Sequence, residues 1–260
     1  MAGGQVLVAR DGAVATVTLS SPGRMNALDK TMWSQLGSAL GELAADESLR
    51  CIVIRGDGDK AFAAGADIAE FHNERASSAQ AKAYSRGGIG WMHAVADCRH
   101  PTVALIQGAC VGGGLLIASQ CDLRICNESA RFGVPVKNLG LTESYDELAA
   151  MMRVTGPGVA LEMLLEGRIW GSREAYEKGL VNRVMPDDKV VDEAYATARR
   201  IADGAPLVAR WHKKFIRRLL DPRPLTDAER DEGYACFDTE DFKTGVAAFL
   251  AKQKPEFKGK

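Results

Sequence analysis

Little in this chain points to a metal, to nucleic acid or to a membrane. Its 260 residues include 4 histidines and 6 cysteines (Cys51, Cys98, Cys110, Cys121, Cys126 and Cys236), and no two cysteines form a CxxC pair. No metal-ligand cluster and no disulfide framework is therefore expected. Most of the cysteines sit in apolar runs such as Cys51-Ile52-Val53-Ile54 and read as reduced, buried thiols. The formal charge of -1 gives no global field that would draw in nucleic acid or anionic lipid. No stretch approaches the roughly 20 consecutive apolar residues of a membrane span. Met1-Ala2-Gly3-Gly4-Gln5 lacks the charged and apolar regions of a secretion signal, so a cytoplasmic address is expected.

What the chain does have is core-forming material: 46% of its residues are hydrophobic and 26% charged. That is enough for one sizeable core, or a core with an appendage. Two strand patterns, around 6–10 and 13–19, flank Asp11-Gly12, a strong hairpin signal. A helix is expected from about 29 to 45, with Met32, Leu36, Ala39 and Leu43 on one face and Asp29 as its cap. Cys51-Ile52-Val53-Ile54 and Val103-Ala104-Leu105-Ile106 are apolar on both faces, as buried parallel strands are. Residues 57–66 read as a Gly/Ala/Asp loop, 78–98 as a long helix and 123–126 as a strand. From Glu147 onward the pattern is mostly helical, punctuated by glycine and proline.

Three segments invite a chemical reading. The first, Gly108-Ala109-Cys110-Val111-Gly112-Gly113-Gly114-Leu115-Leu116, takes a buried strand through three glycines into an apolar helix. Glycines let a ligand approach the backbone, and a helix start offers free N–H groups and the positive end of the dipole. Such a place suits developing negative charge, or else it is only a tight packing turn. The spacing is not G-x-G-x-x-G, which argues against a dinucleotide site. The second is Phe62-Ala63-Ala64-Gly65-Ala66-Asp67-Ile68, and the third Arg24-Met25-Asn26-Ala27-Leu28; each alone reads as a loop.

In this order and spacing, the three segments resemble the crotonase (enoyl-CoA hydratase/isomerase) family. So do Pro101–Gly108, Cys121-Asp122-Leu123-Arg124 and the ending from Glu240 to Gly259, so that the resemblance spans nearly the whole chain. It implies an α/β fold: a crotonase-type ββα spiral core over residues 1–200 and a helical C-terminal trimerisation region over 201–260, in a homotrimer or a dimer of trimers. It implies an acyl-CoA thioester substrate, with no cofactor beyond the coenzyme A that the substrate carries. By motif position the backbone N–H groups of Ala66 and Gly113 form an oxyanion hole. The resemblance places Ala64 and Ile68 against the CoA adenine through their backbones and Arg24 near the CoA phosphates, and it counts Ala66, Asp67 and Gly113 among the residues that bind the CoA substrate.

The pattern also breaks. Where the family's hydratases carry two glutamates, this chain has Leu116 and Val136, and neither side chain can position water or pass a proton. The proton-transfer group must then lie elsewhere. Glu143 borders a loop position that some relatives fill with a catalytic aspartate, here Ser144, and Leu139 and Leu141 are there to desolvate it. The structural alternative is a capping box, Ser144-Tyr145-Asp146-Glu147, opening the next helix. His93 lies eight residues before Pro101, the offset of a catalytic histidine in one relative; otherwise it is a packed or solvated helix histidine. His72, His100 and His212 have no motif support. The run Arg210, His212, Lys213, Lys214, Arg217 and Arg218 reads as a solvated face or an aid to CoA phosphates rather than an RNA site. The expected function is a lyase or isomerase that forms a thioester enolate, with ordinary hydration in doubt; a non-catalytic acyl-CoA-binding homologue is the alternative.

Overall fold

The computed structural model describes residues 3–71 and 75–260, the side chains of 85–90 excepted; His72 lies outside the described residues. Strands β1 (Gln5–Asp11) and β2 (Val14–Ser20) pair antiparallel across the expected turn, where Gly12 takes φ 56. Asp29 caps α1 (Lys30–Ala45) by accepting from the Met32 N–H, as its position predicts. The strands that follow divide between two sheets. β3 (Cys51–Gly56), β5 (Thr102–Ile106) and β7 (Leu123–Asn127) extend the first sheet in parallel from β2, and β10 (Arg183–Met185) closes it. β4 (Ala61–Ala63), β6 (Ala109–Val111), β8 (Arg131–Gly133) and β9 (Trp170–Gly171) make the second.

Each turn of the chain thus lays one strand in each sheet and then a helix. α2 (Ser78–Ala96) follows β4, α3 (Gly113–Gln120) follows β6, and α4 (Tyr145–Glu166) follows β8. This is the expected α/β spiral of ββα units. The loop expected over 57–66 is corrected in part: β4 lies inside it, its three residues buried. Its signal, Phe62 between two alanines, is too short to show periodicity.

The inner strands of the first sheet, β3, β5 and β7, are buried on both faces, which explains their continuous apolar runs, while β1 at its edge is exposed. One face joins α1, α2, α3 and the second sheet in the main core, centred on Leu19, Leu36, Ile52, Ile54, Leu115 and Phe132. The other is covered by α6 (Val190–Ala202), whose Val190, Ala194, Ala198 and Ala202 recur every four residues along one side. Fully burying a Leu or Ile contributes about 1.5–3 kcal/mol, so these faces dominate the stability. Five of the six cysteines are buried and all six are free; burial pushes the Cys51, Cys121 and Cys126 thiols up to about 12.

Beyond α5 (Ser172–Glu177), β10 and α6, the chain is helical: α7 (Pro206–Arg218), α8 (Asp227–Glu232) and α9 (Glu240–Leu250). The basic run on α7 is largely a set of tethers rather than a solvated face. Lys213 donates to the His100 carbonyl and pairs with Asp122 at 2.7 Å, Arg217 pairs with Asp122 at 2.9 Å, and Arg210 donates to the Glu47 and Leu49 carbonyls. Lys214 and Arg218 pair with Glu232 and Glu229. The tail folds back on α9: the buried Asp241 carboxylate accepts from the Lys258 and Gly259 N–H groups at 2.7 and 2.8 Å. Among the described residues, α4 is long and apolar enough to cross a membrane by length and composition. Gly156 breaks it with φ 78, so neither half reaches the roughly 20 residues a span needs.

Candidate active site

Asn26 anchors the first wall. Its buried side chain accepts from the Ser21 N–H at 3.1 Å and donates to the Asp57 and Ala61 carbonyls at 3.0 and 2.8 Å. Met25 and Asn26 both take positive φ, 53 and 56, a region in which asparagine is the better tolerated. This turn delivers Leu28 to the Gly65–Asp67 segment. The Leu28 N–H donates to Gly65 O at 2.8 Å, and the Asp67 N–H donates to Leu28 O at 2.9 Å. Ala66, between them in a parallel bridge, turns its own N–H to the opposite side.

On that side stands Gly113, the first residue of α3. Gly112, at φ 50, caps the helix, and its N–H is taken by Gly133 O at 2.9 Å. Among the described residues, neither the Ala66 N–H nor the Gly113 N–H donates a hydrogen bond. The two segments touch. A methyl placed on Gly113 would lie 3.5 Å from the Ala66 nitrogen, and one on Gly65 would lie 3.4 Å from the Gly113 nitrogen. Gly114 must lack a side chain because a Cβ there would meet Ala63 O at 2.3 Å. Two free N–H groups, one at the positive end of a helix, thus serve one small space.

The space is bounded by residues the motifs did not single out. The Trp33 ring edge lies against Gly113: a Cβ on Gly113 would come within 2.9 Å of its Cη2 and 3.0 Å of its Cζ2. Trp33 stacks on Trp91 of α2 with centroids 4.5 Å apart. Tyr84, also on α2, lies near the indole N–H, yet Trp33 Nε1 is buried without a hydrogen-bond partner. The Arg75 guanidinium covers the rings of Tyr84 at 4.1 Å and Phe71 at 4.6 Å. Arg75 in turn faces Glu143, and Glu143 faces Glu147. Burial and the Glu147 carboxylate push the Glu143 carboxyl up to about 8, against the smaller pull of Arg75. Trp33 was missed because an indole on an amphipathic helix looks like core.

The other expected residues fall as follows. Ala64 and Ile68 are exposed, on the surface the resemblance gives to the CoA adenine. The Arg24 guanidinium is held by Asp67, Asp29 and Ser21 Oγ, so it braces the Ala66 segment. Asp67 also caps the turn Ile68–Glu70. The capping box is formed: Ser144 Oγ accepts from the Glu147 N–H, and Glu147 Oε2 accepts from the Ser144 N–H at 2.6 Å. It coexists with Glu143 beside it. Leu139 and Leu141 are themselves exposed, so little of the burial of Glu143 can be credited to them. Tyr145 is 92% exposed. His93 is not brought to the site. Its side chain is 60% exposed and faces Asp97 at 3.7 Å, two residues and about 200° round the helix from Trp91. Leu116 is buried and Val136 half-buried, both packed into the main core.

The architecture, a spiral of ββα units with parallel strands in two sheets, defines a fold class before any chemistry is assigned. The chain belongs to the enoyl-CoA hydratase/isomerase, or crotonase, family, whose model matches residues 9–260. It is similar to a crystal structure of an enoyl-CoA hydratase/carnithine racemase from Magnetospirillum magneticum, at TM-score 0.97 and 50% identity, covering 98% of this chain and 96% of that one. It is likewise similar to a putative enoyl-CoA hydratase/isomerase family protein from Hyphomonas neptunium, at TM-score 0.93 and 33% identity, covering 98% of each chain. Among curated proteins, a probable enoyl-CoA hydratase of Rhizobium meliloti is 36% identical over 97% of each chain.

Proposed function

We propose that this protein binds an acyl-CoA thioester with its carbonyl oxygen between the Ala66 and Gly113 N–H groups, and moves a proton on the acyl chain through Glu143. The observation that carries the reading is that these two donors are unpaired and share one space. Withdrawing a proton beside a thioester places charge on that oxygen, and each donor aimed there is worth about 3 kcal/mol. The relatives' names support an enoyl thioester as substrate. Ala64 and Ile68 offer an exposed surface to the CoA adenine.

One carboxylate that takes a proton from one carbon and returns it to another carries out an isomerisation. Hydration asks in addition for a second group to position water. At the two positions that the family resemblance gives to glutamates, this chain has Leu116 and Val136, packed in apolar surroundings. Double-bond isomerisation of an enoyl-CoA is thus the reaction favoured, with crotonyl-CoA hydration reduced by the roughly 10²–10⁴-fold that general acid–base groups supply. A spectrophotometric comparison of 3-enoyl-CoA isomerisation with crotonyl-CoA hydration tests this. Hydratase-level turnover overturns it, and thioester binding with no turnover leaves a non-catalytic binder. The C-terminal helices expose Tyr234, Phe237, Phe249 and Leu250, which supports self-association there; light scattering of the full chain reads the subunit number.

A further inference from the structure

The contacts of Arg24 reach both walls of the oxyanion hole. Its Nε donates to Ser21 Oγ at 3.0 Å, Nη1 pairs with Asp67, and Nη2 pairs with Asp29 at 3.5 Å, so each of the three guanidinium nitrogens has a partner. Asp67 directly follows Ala66, and its N–H donates to Leu28 O at 2.9 Å. Its Oδ1 accepts from the Ala69 N–H at 3.1 Å while Oδ2 takes the guanidinium. Asp29 stands at the start of α1, the helix that brings Trp33 against Gly113. Its carboxylate also accepts from the Met32 and Gly4 N–H groups at 2.9 and 3.0 Å. One guanidinium thus ties the Ala66 segment to the helix whose indole touches Gly113. The Asp29 and Asp67 side chains are only 12% and 14% exposed, so without the cation between them they would repel across a poorly solvated gap.

We propose that Arg24 is a positioning residue for the oxyanion hole: through Asp67 and Asp29 it holds the Ala66 N–H in place opposite Gly113, and it does not receive the CoA phosphates. This rests on the thioester reading given above. Two carboxylates enclose the one cation, so a phosphate brought to that guanidinium would meet an excess of negative charge. A two-pronged grip on phosphate also needs two guanidinium nitrogens, and each is already engaged inside the chain. The hole, by contrast, depends on such support. Its two donors sit on separate segments, and a donor stabilises charge only where it is aimed at the oxygen. Free CoA has no thioester oxygen to place there, so loss of the guanidinium should be felt by the thioester and not by CoA.

Calorimetry on the full chain with free CoA and hexanoyl-CoA, a saturated probe that cannot be hydrated, separates positioning from phosphate binding. In Arg24→Met, hexanoyl-CoA should bind about tenfold more weakly, while the affinity for free CoA changes by less than about twofold. Arg24→Lys keeps a charge between the two carboxylates and should recover part of the loss. Asp67→Asn can still accept from the Ala69 N–H but no longer pairs with the guanidinium as an ion; should Arg24→Met fail to fold, the same selective loss of hexanoyl-CoA binding is expected there. Equal weakening of both ligands overturns the proposal and returns Arg24 to the phosphates. Unchanged binding of both also overturns it, and either result leaves the thioester site standing. Hexanoyl-CoA binding no more tightly than CoA in the parent overturns the thioester reading, and the role of Arg24 with it.

Discussion

Replacing Glu143 by Gln separates the two consequences of its position. The carboxyl is raised from 4.5 to about 8, first by burial and then by Glu147. Between those values the folded protein holds a proton that the unfolded chain has released. Folding stability therefore falls as pH rises through this window, and the full penalty is present above about 8. A gap of that size corresponds to at most about 5 kcal/mol. Gln keeps the shape and carries no charge, so Glu143→Gln should change the melting temperature little at pH 5. At pH 8.5 it should raise it by several degrees, at roughly 2–4 °C per kcal/mol for a chain of this size. Turnover should move the other way, falling about 10²-fold or more with thioester binding kept. In the parent, a base with this titration is about one-tenth ionised at pH 7, so turnover should climb to a midpoint near 8. Thermal denaturation at the two pH values and initial rates across the range measure all of this. An equal shift in melting temperature at both pH values would refute the raised carboxyl, and parental turnover would refute its role in proton transfer.

Three further outcomes follow from the geometry. Gly113→Ala keeps the N–H but drives a methyl to within 2.9 Å of the Trp33 ring, so thioester affinity should drop and Trp33 fluorescence shift; unchanged values for both would place the indole away from the hole. Asn26→Ala removes three hydrogen bonds and a residue suited to φ 56, and should destabilise by about 3 kcal/mol or more in denaturant titrations. His100 is fully buried, and burial together with Arg210 and Arg99 holds its pKa down at about 4. The unfolded chain takes up this proton first as pH falls from 6.5 to 4, so the folded state loses stability there, and His100→Leu should flatten that acid limb in melting curves.

The elements with strong local signals were legible from sequence. The Asp11-Gly12 hairpin, the Asp29 cap, the Ser144–Glu147 capping box and the apolar β3 and β5 all stand where their residues put them. What could not be read were pieces fixed only by distant partners. β4, β6 and β8 are three residues each, held by register with one another rather than by any period of their own. The tethering role of α7 depends on Asp122 and the His100 carbonyl, about a hundred residues earlier in the chain. The site divides the same way. Glycine spacing marks Ala66 and Gly113, but nothing local tells that Trp33, on the inner face of α1, reaches Gly113. His93 shows the converse: its offset from Pro101 matches a relative, while the helical phase set by Trp91, Met92 and Val95 turns it outward.

The two features on which the proposed isomerisation rests are linked. Leu116 and Val136, at the positions that the resemblance gives to glutamates, pack in apolar surroundings where an ionised carboxylate would need costly desolvation and partners. The remaining carboxylate, Glu143, stands on the Arg75 side, where a cation and a second carboxylate already make the surroundings polar. In the proposed step, a proton taken there would leave its negative charge on the thioester oxygen, against the Ala66 and Gly113 N–H groups, and would create no second charge beside Glu147. Glu143 then becomes neutral, the state that its burial favours. On the proposed reading, charge would thus move from a place that resists it to a place with two donors, the differential stabilisation that an enolate-forming step requires.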